Sequence, residues 1–228
     1  PIAEAGRIIK EANPDCYFHT DTIQAYGKLR IRPREEHIDM LSVSAHKIHG
    51  PKGAGFIYIS DKARLHPLIL GGGQERDMRS GTENVPGIAG LGLAAELYYR
   101  EHDANVKRLI SVRDRLIDRL SVMEGVRVNT GKDEGFAPQI VSASFSGVRA
   151  EVLLHALEDR GIYVSSGSAC SSNHPAVSGT LRSIGLESGL LDSTLRFSFG
   201  LYSEPEEADI CADVLSELLP MLRRFVRR

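Results

Sequence analysis

The chain has 228 residues, of which 42% are hydrophobic and 25% are charged, and this composition is ordinary for a globular protein. The formal net charge of -2 argues against a nucleic-acid or anionic membrane partner, and no apolar run approaches the ~20 residues that a membrane span needs. Three widely spaced cysteines make neither a disulfide framework nor a zinc site, so the sequence favours a reducing cytoplasm.

The first predicted element is a helix over residues 2–12, which ends before Asn13 and Pro14. Its apolar residues recur at helical spacing, so the sequence starts inside a helical pattern and without an initiator methionine. Residues 1–11 have neither the basic segment nor the apolar core of a signal peptide. We therefore expect the chain to be part of a longer polypeptide.

Strand patterns follow this helix. Short hydrophobic runs predict strands at residues 16–19, 38–44 and 55–60, and a Gly-Pro-Lys-Gly turn leads into the last of them. Residues 71–84 then form a glycine-rich, charged loop that is too polar for a core and too long for a plain connection. The composition of this loop favours a functional role.

The second half of the chain is predicted to form a separate unit beyond a long helical region. Apolar spacing predicts a helix over residues 86–120, bent or broken near 101–105. The later elements are a strand at 139–145, a helix at 150–160, a Ser/Gly-rich loop at 165–172, a strand at 194–198 and a helix at 204–224. We therefore predict an α/β fold with two domains, 1–100 and 101–228.

Lys47 lies at the end of a predicted strand, in the run Ser44-Ala45-His46-Lys47-Ile48-His49-Gly50. A lysine at a strand end is usually a solvated surface charge. Ser44 and His46, however, offer a hydroxyl and an imidazole beside the amine, and the glycines that follow allow another group to approach the backbone closely. A Schiff-base lysine and a phosphate group both need such neighbouring donors.

Asp21 follows the first predicted strand and has two interpretations. It is placed to cap the turn at residues 22–25, which is the usual role of a carboxylate after a strand. It is also placed to keep the pyridine nitrogen of pyridoxal 5'-phosphate (PLP) protonated, which the electron sink of that cofactor requires. In this second interpretation Gln24, three residues further on, reaches the phenolic oxygen of the ring from the same face.

Cys170 and Arg196 are the candidate functional residues of the second half. Cys16, in a strand pattern, and Cys211, on the apolar face of the last helix, are predicted to be buried and inert. Cys170 instead lies among small polar residues, where an exposed and mobile thiol suits a nucleophile. Arg196 suits bidentate binding of a substrate carboxylate, and a structural ion pair is the alternative.

Four separated motifs resemble those of cysteine desulfurases, in the class V aminotransferase group of fold-type I PLP enzymes. They are residues 19–25, 44–53, 71–84 and 165–171, and the resemblance covers almost the whole sequence. The Ser-Gly-Ser-Ala-Cys form at Cys170 is similar to that of the subgroup with a long catalytic loop. The resemblance implies a large α/β PLP domain on a mostly parallel sheet and a smaller C-terminal α/β domain.

The resemblance also implies roles for the residues of the first half. Lys47 would attach PLP covalently. Asp21 would pair with the pyridine nitrogen, and Gln24 would meet the phenolic oxygen. Ser44 and His46 would bind the phosphate group.

Three further roles are implied by the same resemblance. Thr82 would reach the phosphate of the neighbouring subunit in a homodimer. Arg196 would bind the carboxylate of the substrate, and Cys170 would carry sulfur. The implied reaction converts L-cysteine to L-alanine and leaves a persulfide on Cys170, for delivery to a sulfur-acceptor protein such as an iron–sulfur scaffold. No metal is expected.

The glycine- and threonine-rich phosphate loop of the family would lie upstream of residue 1. Residues 1–100 would then be a partial PLP-binding domain, and residues 101–228 the small domain with the catalytic cysteine loop. A class V aminotransferase or a selenocysteine lyase on the same scaffold is the alternative enzyme. An inactive fragment of such an enzyme is the alternative from another class.

Overall fold

A computed structural model describes residues 1–166 and 178–224, and the chain divides into two compact units. The first unit is Pro1–Asp103 and the second is Ala104–Arg228. Each unit has a sheet of its own, three-stranded in the first and four-stranded in the second. Among the described residues, none of the helices combines the length and the apolar character needed to cross a membrane.

The first unit is built around a short sheet. Its elements are α1 (Ile2–Ala12), β1 (His19–Asp21), β2 (Met40–Ser44), the 3-10 helix Ala45–Ile48, β3 (Gly55–Ile59) and α2 (Val85–Arg100). β2 is the central strand, with β1 parallel to it on one side and β3 antiparallel on the other. Alternation along β2 buries Leu41 and Val43 in the core and leaves Ser42 and Ser44 half-buried on the opposite face.

The second unit contains most of α3 (His102–Ser121) and a fully antiparallel sheet. Its other elements are β4 (Val126–Val128), β5 (Ile140–Phe145), α4 (Ala150–Glu158), β6 (Ser165–Ser166), α5 (Gly179–Ser183), the 3-10 helix Ser188–Ser193, β7 (Thr194–Ser198) and α6 (Pro205–Arg223). The strand order is β4-β5-β7-β6. Apolar residues of α3, α4 and α6 pack with those of the sheet in one core, whose fully buried side chains include Phe145, Leu153, Leu195 and Leu215.

Charged side chains join α3 to α6 at their exposed edges. Asp209 Oδ1 accepts hydrogen bonds from Arg115 Nε and Arg119 Nη1, both at 2.9 Å. Arg119 also pairs with Asp213, one helical turn along α6. These pairs link the two helices outside the apolar core.

The predicted helices are confirmed more closely than the predicted strands. The helix at residues 2–12 is confirmed, and the long helical region consists of α2 and α3, with a break at Glu101 where a bend was predicted. The strand at 16–19 was wrong, because β1 begins only at His19 and the Phe18 N–H is bound by the Asp39 side chain. Of the mostly parallel sheet that the resemblance implies, the described strands contain the β1–β2 pair alone.

Candidate active site

The carboxyl ends of β1 and β2 lie at the same edge of the first sheet, because the two strands are parallel. Asp21 ends β1 and is in register with Ser42, while Ser44 ends β2 two residues further on. His19 Nε2 lies 2.8 Å from Ser42 Oγ, so this face of the two strands is polar. Ligands of α/β sheets bind outside the carboxyl ends of parallel strands, which makes this edge the candidate cofactor site.

Lys47 lies on the 3-10 helix Ala45–Ile48, which we call the Lys47 turn. The turn is fixed at both ends by backbone hydrogen bonds. The Ala45 N–H donates to Ala54 O at 3.0 Å, and the Gly50 N–H donates to Ala45 O at 2.9 Å. The Lys47 backbone is therefore held in place before any side-chain contact is considered.

Three polar side chains at the Lys47 turn are accessible. Lys47 is half-buried and His46 is exposed, although the neighbouring Ala45 and Ile48 are completely buried. Ser44 stands at the N-cap position but makes no capping hydrogen bond, so its hydroxyl is not used to hold the turn. An amine, an imidazole and a hydroxyl thus lie within four consecutive residues.

Asp21 makes the turn contact that one of its two interpretations predicts. Its Oδ1 accepts a hydrogen bond from the Ile23 N–H at 2.9 Å, and Thr22 is fixed by two donations to Ser42 O. The carboxylate is nevertheless exposed, and Gln24 on the same turn is exposed too. The capping contact leaves Asp21 accessible, so the contact of Asp21 with a cofactor ring stays a prediction.

A buried lysine lies behind the Lys47 turn. Lys28 is only 7% exposed, and its Nζ donates a hydrogen bond to the backbone O of Lys47 at 2.6 Å. The same Nζ lies 5.1 Å from the centroid of the Tyr98 ring in α2. Burial, and then the charge of Lys47, lower the pKa of Lys28 to about 8. Sequence reasoning missed this residue because lysines are mostly exposed, and its local context carries no other signal.

His49 belongs to the same cluster. It ends the Lys47 turn in the left-handed conformation, with φ at 61°, and its Nδ1 lies 3.4 Å from Tyr98 Oη. Burial, followed by the charge of Lys28, lowers the pKa of His49. Both causes disfavour the charged form of the imidazole near the Lys28 ammonium.

The glycine-rich loop at residues 71–84 is organised around Ser80. The buried Ser80 hydroxyl accepts a hydrogen bond from the Gly72 N–H and donates one to Gly72 O, both at 2.8 Å. The Ser80 N–H donates to Ile69 O at 3.1 Å. Thr82, two residues later, is exposed, and its contact with a phosphate group stays a prediction.

The same loop contains an unusual run of backbone conformations. Glu75, Arg76 and Asp77 have φ values of 50°, 57° and 65°. Residues with a Cβ atom rarely adopt the left-handed backbone conformation, and three consecutive residues in it store conformational strain. Neither their residue types nor their spacing predicted this.

Arg196 is the candidate substrate-binding residue of the second unit and lies on β7. It pairs in register with Ser142 of β5 and Ser165 of β6. Its Nη2 lies 3.4 Å from Ser165 Oγ, and its buried Nε has no hydrogen-bond partner among the described residues. A buried donor without an acceptor suits an anionic ligand better than the structural ion pair that was the alternative.

The predictions of burial or exposure for the three cysteines have different outcomes. Cys170 lies outside the described residues, so its exposure stays a prediction. Cys16 is exposed, which corrects the prediction that it is buried in a strand. Cys211 is buried in α6 as predicted, and burial raises the pKa of its thiol to about 12, which makes it inert.

Comparison with protein families gives one decisive match. The family model described as aminotransferase class-V matches residues 1–211. The chain belongs to the class-V aminotransferase family. The aminotransferases and cysteine desulfurases of this family are PLP-dependent, which agrees with the cofactor expected from Lys47, Asp21 and Gln24.

Similar proteins of known name are cysteine desulfurases. The mitochondrial cysteine desulfurase of Saccharomyces cerevisiae is 42% identical over 227 residues, which is 99% of this chain and 45% of that protein. Cysteine desulfurase IscS of Dictyoglomus turgidum is 40% identical over 223 residues, 98% of this chain and 56% of that protein. The chain therefore spans about half the length of the curated relatives that it matches.

Solved structures give the same family and confirm the predicted fold class. A NifS-like protein has a TM-score of 0.87 and 34% identity, with 97% of this chain and 57% of that chain covered. A structure described as SspA in complex with cysteine has a TM-score of 0.67 and 30% identity, with 89% and 55% covered. The chain thus has the α/β fold of a part of a fold-type I PLP enzyme.

Proposed function

We propose that this chain is part of a cysteine desulfurase, which converts L-cysteine to L-alanine and transfers the sulfur to Cys170 as a persulfide. The observation that supports the proposal most is the polar edge of the first sheet, where Lys47 lies on a fixed turn after β2 and Asp21 ends the parallel neighbour β1. The relatives named cysteine desulfurases support the reaction. The similar SspA structure, described as a complex with cysteine, supports the substrate.

The residues at this edge fit PLP. The accessible amine of Lys47 would hold the cofactor covalently. Ser44, whose hydroxyl is not engaged in capping, and His46 would donate hydrogen bonds to the phosphate. The exposed carboxylate of Asp21 would pair with the ring nitrogen, and Gln24 would meet the phenolic oxygen. When bound, PLP supplies an electron sink for negative charge at the substrate Cα.

The chain's own residues then perform the proton and sulfur transfers. With PLP bound, the Lys47 amine would remove the Cα proton of cysteine and return a proton, as general base and general acid. Arg196 binds the substrate carboxylate with its unpaired donor and so orients the Cα–H bond. The Cys170 thiolate attacks the substrate sulfur. An S–S bond forms and the Cβ–S bond of the substrate breaks. The electron pair of the broken bond stays with the carbon fragment, whose protonation gives alanine.

Cys170 is close in sequence to the strand that pairs with Arg196. Ser166 ends β6, and Cys170 follows it four positions later in the sequence. Ser165 is in register with Arg196. The proposed sulfur carrier therefore follows, in the sequence, the strand that pairs with the proposed carboxylate-binding residue.

The family resemblance extends the proposal to partners and location. Residues 1–100 would supply the cofactor-binding part, and residues 101–228 would supply the domain with the cysteine loop. Thr82 would contact the phosphate of the neighbouring subunit in a homodimer. A sulfur-acceptor protein, such as an iron–sulfur scaffold, would take the persulfide sulfur in the cytoplasm. The exposure of Thr82 is compatible with its role between subunits.

The first test asks whether Lys47 is the lysine that reacts with PLP. PLP is added to the purified protein, the adduct is reduced with borohydride, and the modified peptide is identified by mass. We expect modification confined to Lys47, with Lys47→Ala as the control that removes it. Scattered labelling over several lysines, with no preference for Lys47, would contradict the proposed cofactor site.

The second test separates a desulfurase from an aminotransferase. Cys170→Ser should abolish persulfide and sulfide formation from L-cysteine, while borohydride-fixed PLP at Lys47 persists. Cys16→Ser is the matched control and should leave the activity unchanged. Retained turnover in Cys170→Ser would overturn the assignment in favour of the class V aminotransferase, since that reaction does not use this thiol.

A further inference from the structure

The buried Lys28 has an unusual set of partners for a charged residue. Its ammonium contacts the Lys47 carbonyl oxygen at 2.6 Å and faces the Tyr98 ring, and it makes no salt bridge with a carboxylate among the described residues. A buried cation that is balanced only by a dipole and an aromatic face is costly to fold. A residue of that kind is a candidate for a functional role.

The backbone next to Lys28 is closely packed. It follows Gly27, whose φ is 78° and where an added Cβ would lie 2.8 Å from Tyr98 Cδ1 and 3.4 Å from Ile48 Cγ2. Glycine is therefore required for α2 to approach this segment. The Tyr98 ring packs against Gly27, and the Lys28 ammonium contacts both this ring and the Lys47 carbonyl.

The hydrogen bond from Lys28 reaches a carbonyl in the last part of the Lys47 turn. The last carbonyls of a helical turn lack intrahelical donors, and lysine side chains can satisfy them. Here the donor comes from a residue 19 positions earlier in the chain. It therefore ties the Lys47 backbone to a separate segment of the first unit.

We propose that Lys28 is a positioning residue for Lys47, whose ammonium holds the Lys47 carbonyl and so fixes the direction in which the Lys47 side chain leaves the turn. This inference rests on the proposed function, because Lys47 has to be the lysine that holds PLP. The charge of Lys47 is also one cause of the lowered pKa of Lys28, so the two side chains are close enough to influence each other. In this role Lys28 acts through the Lys47 backbone, which its ammonium contacts.

The test compares Lys28→Met and Lys28→Arg with the parent protein, using PLP as the probe. The readouts are the apparent dissociation constant for PLP and the fraction of borohydride-fixed label found at Lys47, with the melting temperature as a measure of folding. Loss of a hydrogen bond from a charged donor predicts about tenfold weaker binding and a lower Lys47 fraction in Lys28→Met. Lys28→Arg keeps charge and donors and should restore both in part.

Lys52→Met is the matched control, since Lys52 is an exposed lysine five residues from Lys47, and it should match the parent in both readouts. Unchanged affinity and Lys47 labelling in a folded Lys28→Met would overturn the positioning role and leave the proposed function standing. Absence of Lys47 labelling in the parent would instead overturn the proposed function, and this inference with it. If Lys28→Met does not fold, the comparison of Lys28→Gln with Lys28→Arg decides by the same readouts.

Discussion

Asp39 and Lys28 are buried charged residues of the first unit that are balanced in different ways. Asp39 Oδ2 accepts hydrogen bonds from Lys10 Nζ at 2.6 Å and from the Phe18 N–H at 2.7 Å. Burial raises the pKa of Asp39, but these hydrogen bonds outweigh burial and hold the pKa below its ordinary value. Lys28 has no such partner of opposite charge among the described residues, and its pKa is lowered instead.

Asp39→Asn should lower the free energy of unfolding at pH 7 by about 1 to 3 kcal/mol, because a buried, charge-assisted pair is broken. A carboxylate with a depressed pKa contributes stability above its unfolded pKa and loses it as the pH falls through the folded pKa. The difference between variant and parent should therefore shrink in acid. Urea unfolding at a series of pH values measures it, and exposed Asp61→Asn should show no such difference.

Single residues also mark the limit of what the sequence could predict at the site. Ser44, His46 and Lys47 were predicted together because they are neighbours in one short run. Lys28 was not, because its contact with Lys47 spans 19 positions and depends on a turn that only folding brings into place. The exposure of Cys16 was missed because the apolar residues that follow it suggest a strand.

The loop segment Glu75–Asp77 has a positive φ at three consecutive residues. These three left-handed residues lie in the sequence between Gly72 and Ser80, whose two hydrogen bonds close the loop. Closure of the loop over-determines this backbone, which is how strained conformations persist in proteins.

Arg76→Gly should raise the free energy of unfolding by roughly 0.5 to 1 kcal/mol, since glycine adopts a positive φ without the Cβ penalty. Met78→Gly is the matched control, because Met78 in the same loop does not have a positive φ. It should lower the stability or leave it unchanged. A fall in the denaturation midpoint of Arg76→Gly would show that the left-handed run carries no strain.

Among elements, length and periodicity decided which ones could be predicted. α1, α2, α3 and α6 each carry an apolar face over three or more turns, so their positions followed from the sequence. β4 and β6 have three and two residues, which is too short for an alternating pattern. β6 is defined only by its pairing with β7, and that pairing is a tertiary contact.

On the scale of the molecule, each unit has its own core, and that of the second is the larger. One face of α6 packs into the core of the second unit. Leu215 is fully buried there, while Ile210 on the same helix is 60% exposed. Burial of such side chains dominates the stability of a unit of this size.

Leu215→Ala should lower the free energy of unfolding by about 2 to 5 kcal/mol, through lost burial and the cavity left behind. Ile210→Ala, at the exposed position of the same helix, should change it by no more than about 0.5 kcal/mol. Denaturant unfolding of both variants measures the difference. Equal effects would mean that α6 does not pack as described.

The burial of Cys211 has a practical consequence for following sulfur through the molecule. Because burial raises the pKa of the Cys211 thiol to about 12, we expect it to stay a protonated, unreactive thiol at neutral pH. Cys16 is exposed, so reagents can reach it. In a Cys16→Ser background, any thiol that reacts at neutral pH is therefore that of Cys170, and a mass shift of the intact protein reports its sulfur loading directly.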